Sequence, residues 1–431
     1  MEYDAASNLA WTARSTTLTS TSACQTTSVP TYTRSTRTWD ARNRLSGITH
    51  PAGTANESYS YYADNALKTA STTDGGTWTY AYNKRRLPTN ETLSLGAKTF
   101  SIGYGYNGLG HVSTRTYPSA LSLSFNPNAL GQPRQAGSYA SSATYHPNGS
   151  LAGFNYGNGL IHSRSLNTRG LPQRIRDRTS ANLSRLDYSY GYDKHGNITS
   201  IVDGVNGNEN RTLTYDARDR MSGTVAPNIY GQEVTEYDVL DNVRRLAGVP
   251  NGSGGYGQDY RYQYTASQRL DRIDDPQGAL QWDFEHNGFG ETTTRSGHNA
   301  IWSYQWNAAG RMTWASRNGA ARPYLPFAPD LPPTELEPPH TEAITSETYV
   351  YDAHGHRTRS SRSDGSTRYQ VYSRAGQLLY TEDTKDNQRI DYIHLGGKLV
   401  AQRSRPLTTN TATTTWHHTD HLGSANLETN A

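Results

Sequence analysis

Tyr192-Asp193-Lys194-His195-Gly196-Asn197-Ile198 reads as a tight turn between two strands. Before it, aromatic residues fall on every second position, at Tyr188, Tyr190 and Tyr192. Alternation at period two puts the three rings on one face of an extended strand. Asp193 is placed to accept hydrogen bonds from backbone N–H groups two or three residues on. Gly196 supplies the positive φ that closes a short hairpin loop with a bulge. Ile198 is the first apolar side chain of the return strand. The resulting template is an aromatic, Asp or Asn, two free positions, Gly or a small polar residue, often Arg or Asn, and an aliphatic.

Working outward, the template returns at Tyr215-Asp216, Tyr237-Asp238 and Tyr264, then at His286, Trp306-Asn307 with Gly310, Tyr351-Asp352 with Gly355, Tyr372 and Ile393. Towards the N-terminus it recurs at Leu166, Tyr145, near Pro127, and at Tyr106, Tyr82 (one residue short), Tyr61, Trp39 and Tyr3. Neighbouring starts differ by 61−39 = 22, 82−61 = 21, 215−192 = 23 and 372−351 = 21 residues, a period that signals repeat architecture. A residue that recurs once per repeat, such as Asp193, Asp216, Asp238 or Asp352, reads as a structural turn acceptor.

Each period has room for two short strands and two turns. No stretch sustains a helical period, so the chain reads as all-β. A lone hairpin is too small to stand by itself, and the units are expected to pair edge to edge into one long antiparallel sheet. The aromatic face would then stack from repeat to repeat as cross-strand pairs, each contributing roughly 0.2–1 kcal/mol. An open array also leaves unpaired edges at both ends, which favours self-association.

Composition agrees with a wall more than with an ordinary core. Hydrophobic residues make up 33% of 431, yet 31 tyrosines and 8 tryptophans carry large apolar area. A formal charge of +3 gives no basis for nucleic-acid binding. Cys24 is the single cysteine, which excludes an intrachain disulfide, a cysteine zinc cluster and a CxxC redox pair. No apolar run is long enough to span a membrane, and the first residues lack the pattern of a signal peptide.

Two departures break the period and divide the chain. Residues 1–38 hold a first repeat with a Ser/Thr-rich stretch, expected as a strand pair with an extended exposed loop. The repeat array proper occupies 39–318. Residues 319–345 contain Pro323, Pro326, Pro329, Pro332, Pro333, Pro338 and Pro339, which reads as an insertion loop because proline cannot serve in a central ladder. The last repeats fill 346–403, and 404–431 forms a separate ending.

The Y-D-x-x-G-R-L unit at this period resembles the YD repeat of the RHS (rearrangement hotspot) family. Tyr156-Gly157-Asn158-Gly159-Leu160 is similar to a phrase frequent in bacterial RHS proteins. The stretch from Tyr392 to Ala401 resembles the final repeat before the RHS-associated core, and His418-Thr419-Asp420-His421-Leu422-Gly423-Ser424 resembles the start of that core. The resemblance implies a spiral of β-hairpins forming part of a hollow shell that encapsulates a C-terminal toxin for competition between bacterial cells. It also implies export or secretion, and as partners the rest of the shell, the toxin, and secretion-system spike proteins or cell-surface glycans. The family's self-cleavage region would lie beyond Ala431, so these residues are expected to be a portion of a longer shell. The other reading is an adhesive β-repeat module that binds carbohydrate or a cell surface through exposed Tyr and Trp.

No catalytic constellation is expected, and no cofactor. Asp275-Pro276-Gln277-Gly278 resembles a cleavage phrase but fits an ordinary distal turn. His417, His418 and His421 near Asp420 could suit a metal, yet His417 and His418 point to opposite faces of a strand, and polar packing is the expected role. His354 and His356 flank Gly355 in a turn and are expected to be solvated.

Overall fold

The structure, a computed structural model, describes residues 1–14, 34–249, 259–297, 300–319 and 345–430. Every regular element among them is a β-strand. There are two antiparallel sheets, one of 11 strands from Glu2–Tyr3 to Ser122–Ser124 and one of 24 from Ala140–Tyr145 to Ala425–Asn430. In both, strand order is sequence order. The chain is thus a ribbon of hairpins in which each strand pairs with its predecessor and its successor, and neither sheet closes on itself.

The sheet expected to be continuous breaks once, between Ser124 and Ala140. Pro127 and Pro133 fall in this segment, and a residue without an N–H cannot complete a ladder. The repeat turn survives there, with Asn128 N–H donating to the Gln132 carbonyl at 3.0 Å. The two irregular insertions do not interrupt the ribbon. Leu9–Ala13 pairs with Arg34–Trp39, and Met312–Gly319 with Thr345–Tyr351. The Ser/Thr-rich loop and the Pro-rich insertion themselves lie outside the described residues.

Right-handed strand twist makes a long ribbon coil, and here it coils until its later part lies over its beginning. Tyr59 Oη donates to the Ala353 carbonyl at 3.0 Å, Trp78 Nε1 to Asp352 Oδ2 at 2.8 Å, and Tyr117 Oη to the Tyr392 carbonyl at 3.0 Å. Further along, Tyr156 Oη donates to the His417 carbonyl at 3.0 Å and Asn158 Nδ2 to Thr429 Oγ1 at 2.8 Å. These partners are 261 to 294 residues apart in sequence. The two laps meet with the distal turns of the first against the repeat turns of the second. Among the described residues no strand ladder joins them; side chains do.

The seam is also where the main core sits. One buried cluster unites Trp78, Tyr80, Leu93 and Ile102 of the first lap with Val371, Leu379, Ile393 and Val400 of the second. Burying a large apolar side chain contributes roughly 1.5–3 kcal/mol, so this cluster supplies a core that separate hairpins lack. The effect of lap contact is visible at one repeat position. Ala353, under a neighbouring lap, is 7% exposed, whereas its equivalent Val239, with none, is 80% exposed.

Candidate functional site: the repeat turns and the seam between laps

In the turn after Tyr192, Asp193 Oδ1 accepts the backbone N–H groups of His195, Gly196 and Asn197 at 2.9, 2.8 and 2.9 Å. Burial alone would raise this carboxyl; the hydrogen bonds from Asn197, Gly196 and His195 hold it below the usual carboxylate range. The chain closes with Asp193 N–H donating to the Asn197 carbonyl, and Gly196 sits at φ +99°. Register slips between Gly191 and Tyr192, which is the bulge. Asp216, Asp238, Asn307, Asp352 and Asp420 all accept N–H groups two and four residues on in the same way. Gly310, Gly355 and Gly423 stand where Gly196 does, at φ +74°, +83° and +91°. In the repeats at Tyr215 and Tyr237 the left-handed residue is Asp219 or Asp241, short polar side chains that tolerate that region.

Two parts of the template had no reason in sequence alone. The first is why the aromatic is Tyr or Trp. Tyr192 Oη donates to the Pro172 carbonyl at 2.7 Å, Tyr215 to Ile198 at 2.8 Å, Tyr237 to Met221 at 2.8 Å and Tyr351 to Met312 at 2.7 Å. Trp306 does the same through Nε1 to Thr292, at 2.7 Å. Each ring thus ends on the backbone of the preceding repeat, a bond phenylalanine cannot make. The second is the arginine. Arg220 bonds Asp216 in its own turn, reaches the Asp238 carbonyl of the next turn at 3.1 Å, and lies over the Tyr237 ring at 4.5 Å. Arg44 repeats the pattern with Asp40, the Tyr62 carbonyl and the Tyr61 ring. The expected ring-on-ring contact is seen at Tyr62–Tyr82 and Trp282–Trp302, with centroids 6.0 and 5.5 Å apart. Guanidinium groups add to it, as Arg295 does at 4.7 Å from Trp282 and 4.2 Å from Trp302.

Two further readings change. The copy at Ile393 has no five-residue bend: Leu395 pairs directly with Lys398 around Gly396 and Gly397, both at positive φ. His354 and His356 are not solvated. His354 Nε2 lies 2.5 Å from the Tyr80 hydroxyl across the seam, and His356 stacks on Tyr372 with centroids 4.9 Å apart. The earlier lap covers His354 and the following repeat covers His356, neither visible to a local reading.

Where the second lap ends, a buried polar cluster ties it to the first. Asp177 is 0% exposed. Its Oδ1 lies 2.6 Å from His162 Nδ1 and its Oδ2 2.7 Å from His418 Nδ1. Burial would raise the carboxyl, but hydrogen bonds from the two imidazoles hold it well below the carboxylate range. Lys398 Nζ donates to Thr419 Oγ1 at 2.7 Å, and burial lowers its ammonium to about 8 against the pull of Asp177. His418 Nε2 meets Thr429 Oγ1 at 2.8 Å. Thr429, His418 and Asp177 thus have the connectivity of a hydroxyl–imidazole–carboxylate relay. Thr429 Oγ1 also receives Asn158 Nδ2, and His418 is 0% exposed, so the relay clasps strands and leaves the imidazole no open face. Asp177 and His162 lie outside the template, and nothing in the sequence marks them.

Residues 192–228 match the RHS Repeat family model. The chain thus carries an RHS repeat. Its fold is similar to the crystal structure of TcdB2-TccC3, with TM-score 0.69 and 14% identity over 92% of this chain and 23% of that one. It is also similar to TcdB2-TccC3-Cdc42, with TM-score 0.62 and 13% identity. The Photorhabdus luminescens Tc holotoxin pore gives TM-score 0.59 and 13% identity. In these two, as in the first, the match covers 92% of this chain and 23% of the other, so this chain spans about a quarter of their length. No curated protein sequence matches it.

The stretch His418-Thr419-Asp420-His421-Leu422-Gly423-Ser424 folds as one more repeat turn, Asp420 N–H donating to the Ser424 carbonyl at 3.1 Å with Gly423 left-handed. His421 packs on the Tyr190 ring at 4.7 Å, and His417 lies 3.2 Å from Glu428. Asp275 to Ala279 forms a distal turn with the same bonding. One exposed trio, Asp193, His195 and Asp219, has ligand atoms within 4.8 Å of one another. Asn197 Nδ2 donates to Asp193 Oδ2 and to Asp219 Oδ1, and His195 pairs with Asp219 at 2.7 Å. The arrangement links neighbouring turns. Among the described residues no helix is long and apolar enough to cross a membrane.

Proposed function

We propose that this chain is a length of shell wall that screens a passenger toxin from solvent and protease, for export and use against competing cells. The carrying observation is the seam. Successive laps lock through Trp78–Asp352, Tyr117–Tyr392 and His418–Asp177, so one coiled ribbon becomes a continuous partition. The passenger, the remaining wall and any spike protein that delivers them belong to this proposal as partners. Aromatic burial supports it against sugar binding. Tyr188 and Tyr190 are 6% and 7% exposed inside a core cluster, and guanidinium groups cover Trp11, Trp282 and Trp302, occupying ring faces on which a sugar would stack. The test is limited proteolysis of the complete natural polypeptide, with and without the seam-parting change Gly75→Ala. A segment outside the wall that resists digestion only while the seam is intact supports the reading; identical digestion of every segment in both refutes it.

A further inference from the structure

The seam carries several histidines. His354, His394 and His421, all on the later lap, face the earlier one. Each meets a group there that offers no negative charge. His354 Nε2 is 2.5 Å from the Tyr80 hydroxyl, His421 packs against the Tyr190 ring, and His394 lies in the field of Arg115 with Nδ1 buried and unpaired. We propose that the seam is an acid-sensitive closure, in which protonation of His354, His394 and His421 parts the two laps while the hairpin ladders stay intact.

Other charged groups face these rings. His354 sees Asp352, Glu57, His356 and Arg374; burial lowers its pKa, and the carboxylates oppose this without reversing it. Burial, then Arg115, pushes His394 down to about 4. Burial also lowers His421, with Asp420 opposing and Arg164 assisting. Asp177 works in the other direction on His162, yet burial still lowers that imidazole. The sign follows from linkage. A base with a lowered pKa in the closed state takes up a proton on opening, so closure is strongest above 6.5 and weakens as pH falls towards the closed-state value. For His394, with closed and open values of about 4 and 6.5, the open fraction rises about tenfold by pH 5.5. The seam has no backbone ladder, so its opening need not break a hairpin. This inference concerns the seam alone and stands whether or not the wall holds a passenger.

The test places a cysteine at Ala353, 7% exposed beneath the first lap, in a Cys24→Ser background. Its maleimide labelling rate is compared with that of Val239→Cys, 80% exposed at the equivalent position, which absorbs the intrinsic pH dependence of the thiol. The expected ratio rises at least tenfold between pH 7.5 and 5.5, and His394→Gln flattens the rise. If His394→Gln fails to fold, His421→Gln takes its place. A ratio independent of pH, or one that rises equally in a folded histidine variant, overturns the proposal.

Discussion

At the scale of single residues, the wall rests on polar ends of aromatic rings. Tyr192 carries its hydroxyl across to the Pro172 carbonyl, so Tyr192→Phe keeps the ring and removes one bond. Urea unfolding should show a loss of about 1 kcal/mol. Trp78 is in a harsher position, because its Nε1 serves Asp352, which is 0% exposed. Trp78→Phe leaves that carboxylate short of a donor and should cost roughly 1–3 kcal/mol, read the same way. The buried carboxylates also set an acid limit. Burial opposes the charged forms of Asp177 and Asp352, but hydrogen bonds lower both below the ordinary value of 3.8. Their contribution is full above 3.8 and is lost as pH falls below it. An acid titration followed by circular dichroism should therefore show a second, steeper loss of structure below this value, separate from the histidine range.

At the scale of the hairpin, the left-handed position decides tolerance. Gly196→Ala puts a Cβ at φ +99° and should destabilise by roughly 1–2 kcal/mol. Arg86, already left-handed at φ +64° in its own turn, should change to Gly with almost no effect on the melting temperature. Much of this element was legible in the sequence. Asp193, Gly196 and the alternating rings carry local signals, since their partners lie within a few residues or one repeat away. The antiparallel ribbon follows from the period. The role of Arg220 was not legible, because two of its contacts fall in the next turn. His354 was read as solvated because its cover arrives 274 residues away in sequence. Asp177 escaped notice for the same reason, its partner His418 lying 241 residues on.

At the scale of the whole molecule, the seam depends on close approach. A Cβ on Gly75 would lie 1.9 Å from the Tyr351 carbonyl oxygen, a distance no contact allows. The same Cβ would lie 2.4 Å from Thr72 Oγ1 in its own hairpin, so Gly75→Ala should turn that hydroxyl aside and force the laps apart, raising the labelling of a cysteine at Ala353 at neutral pH, without acid. The ribbon's strictly consecutive pairing has a further consequence during synthesis. Hairpins can zip as they leave the ribosome, but Trp78 must wait for Asp352, 274 residues later. At 5–20 residues per second that interval is about 14–55 s. Throughout it the indole and its apolar neighbours stay uncovered, so the nascent first lap carries a sticky edge until translation delivers its lid.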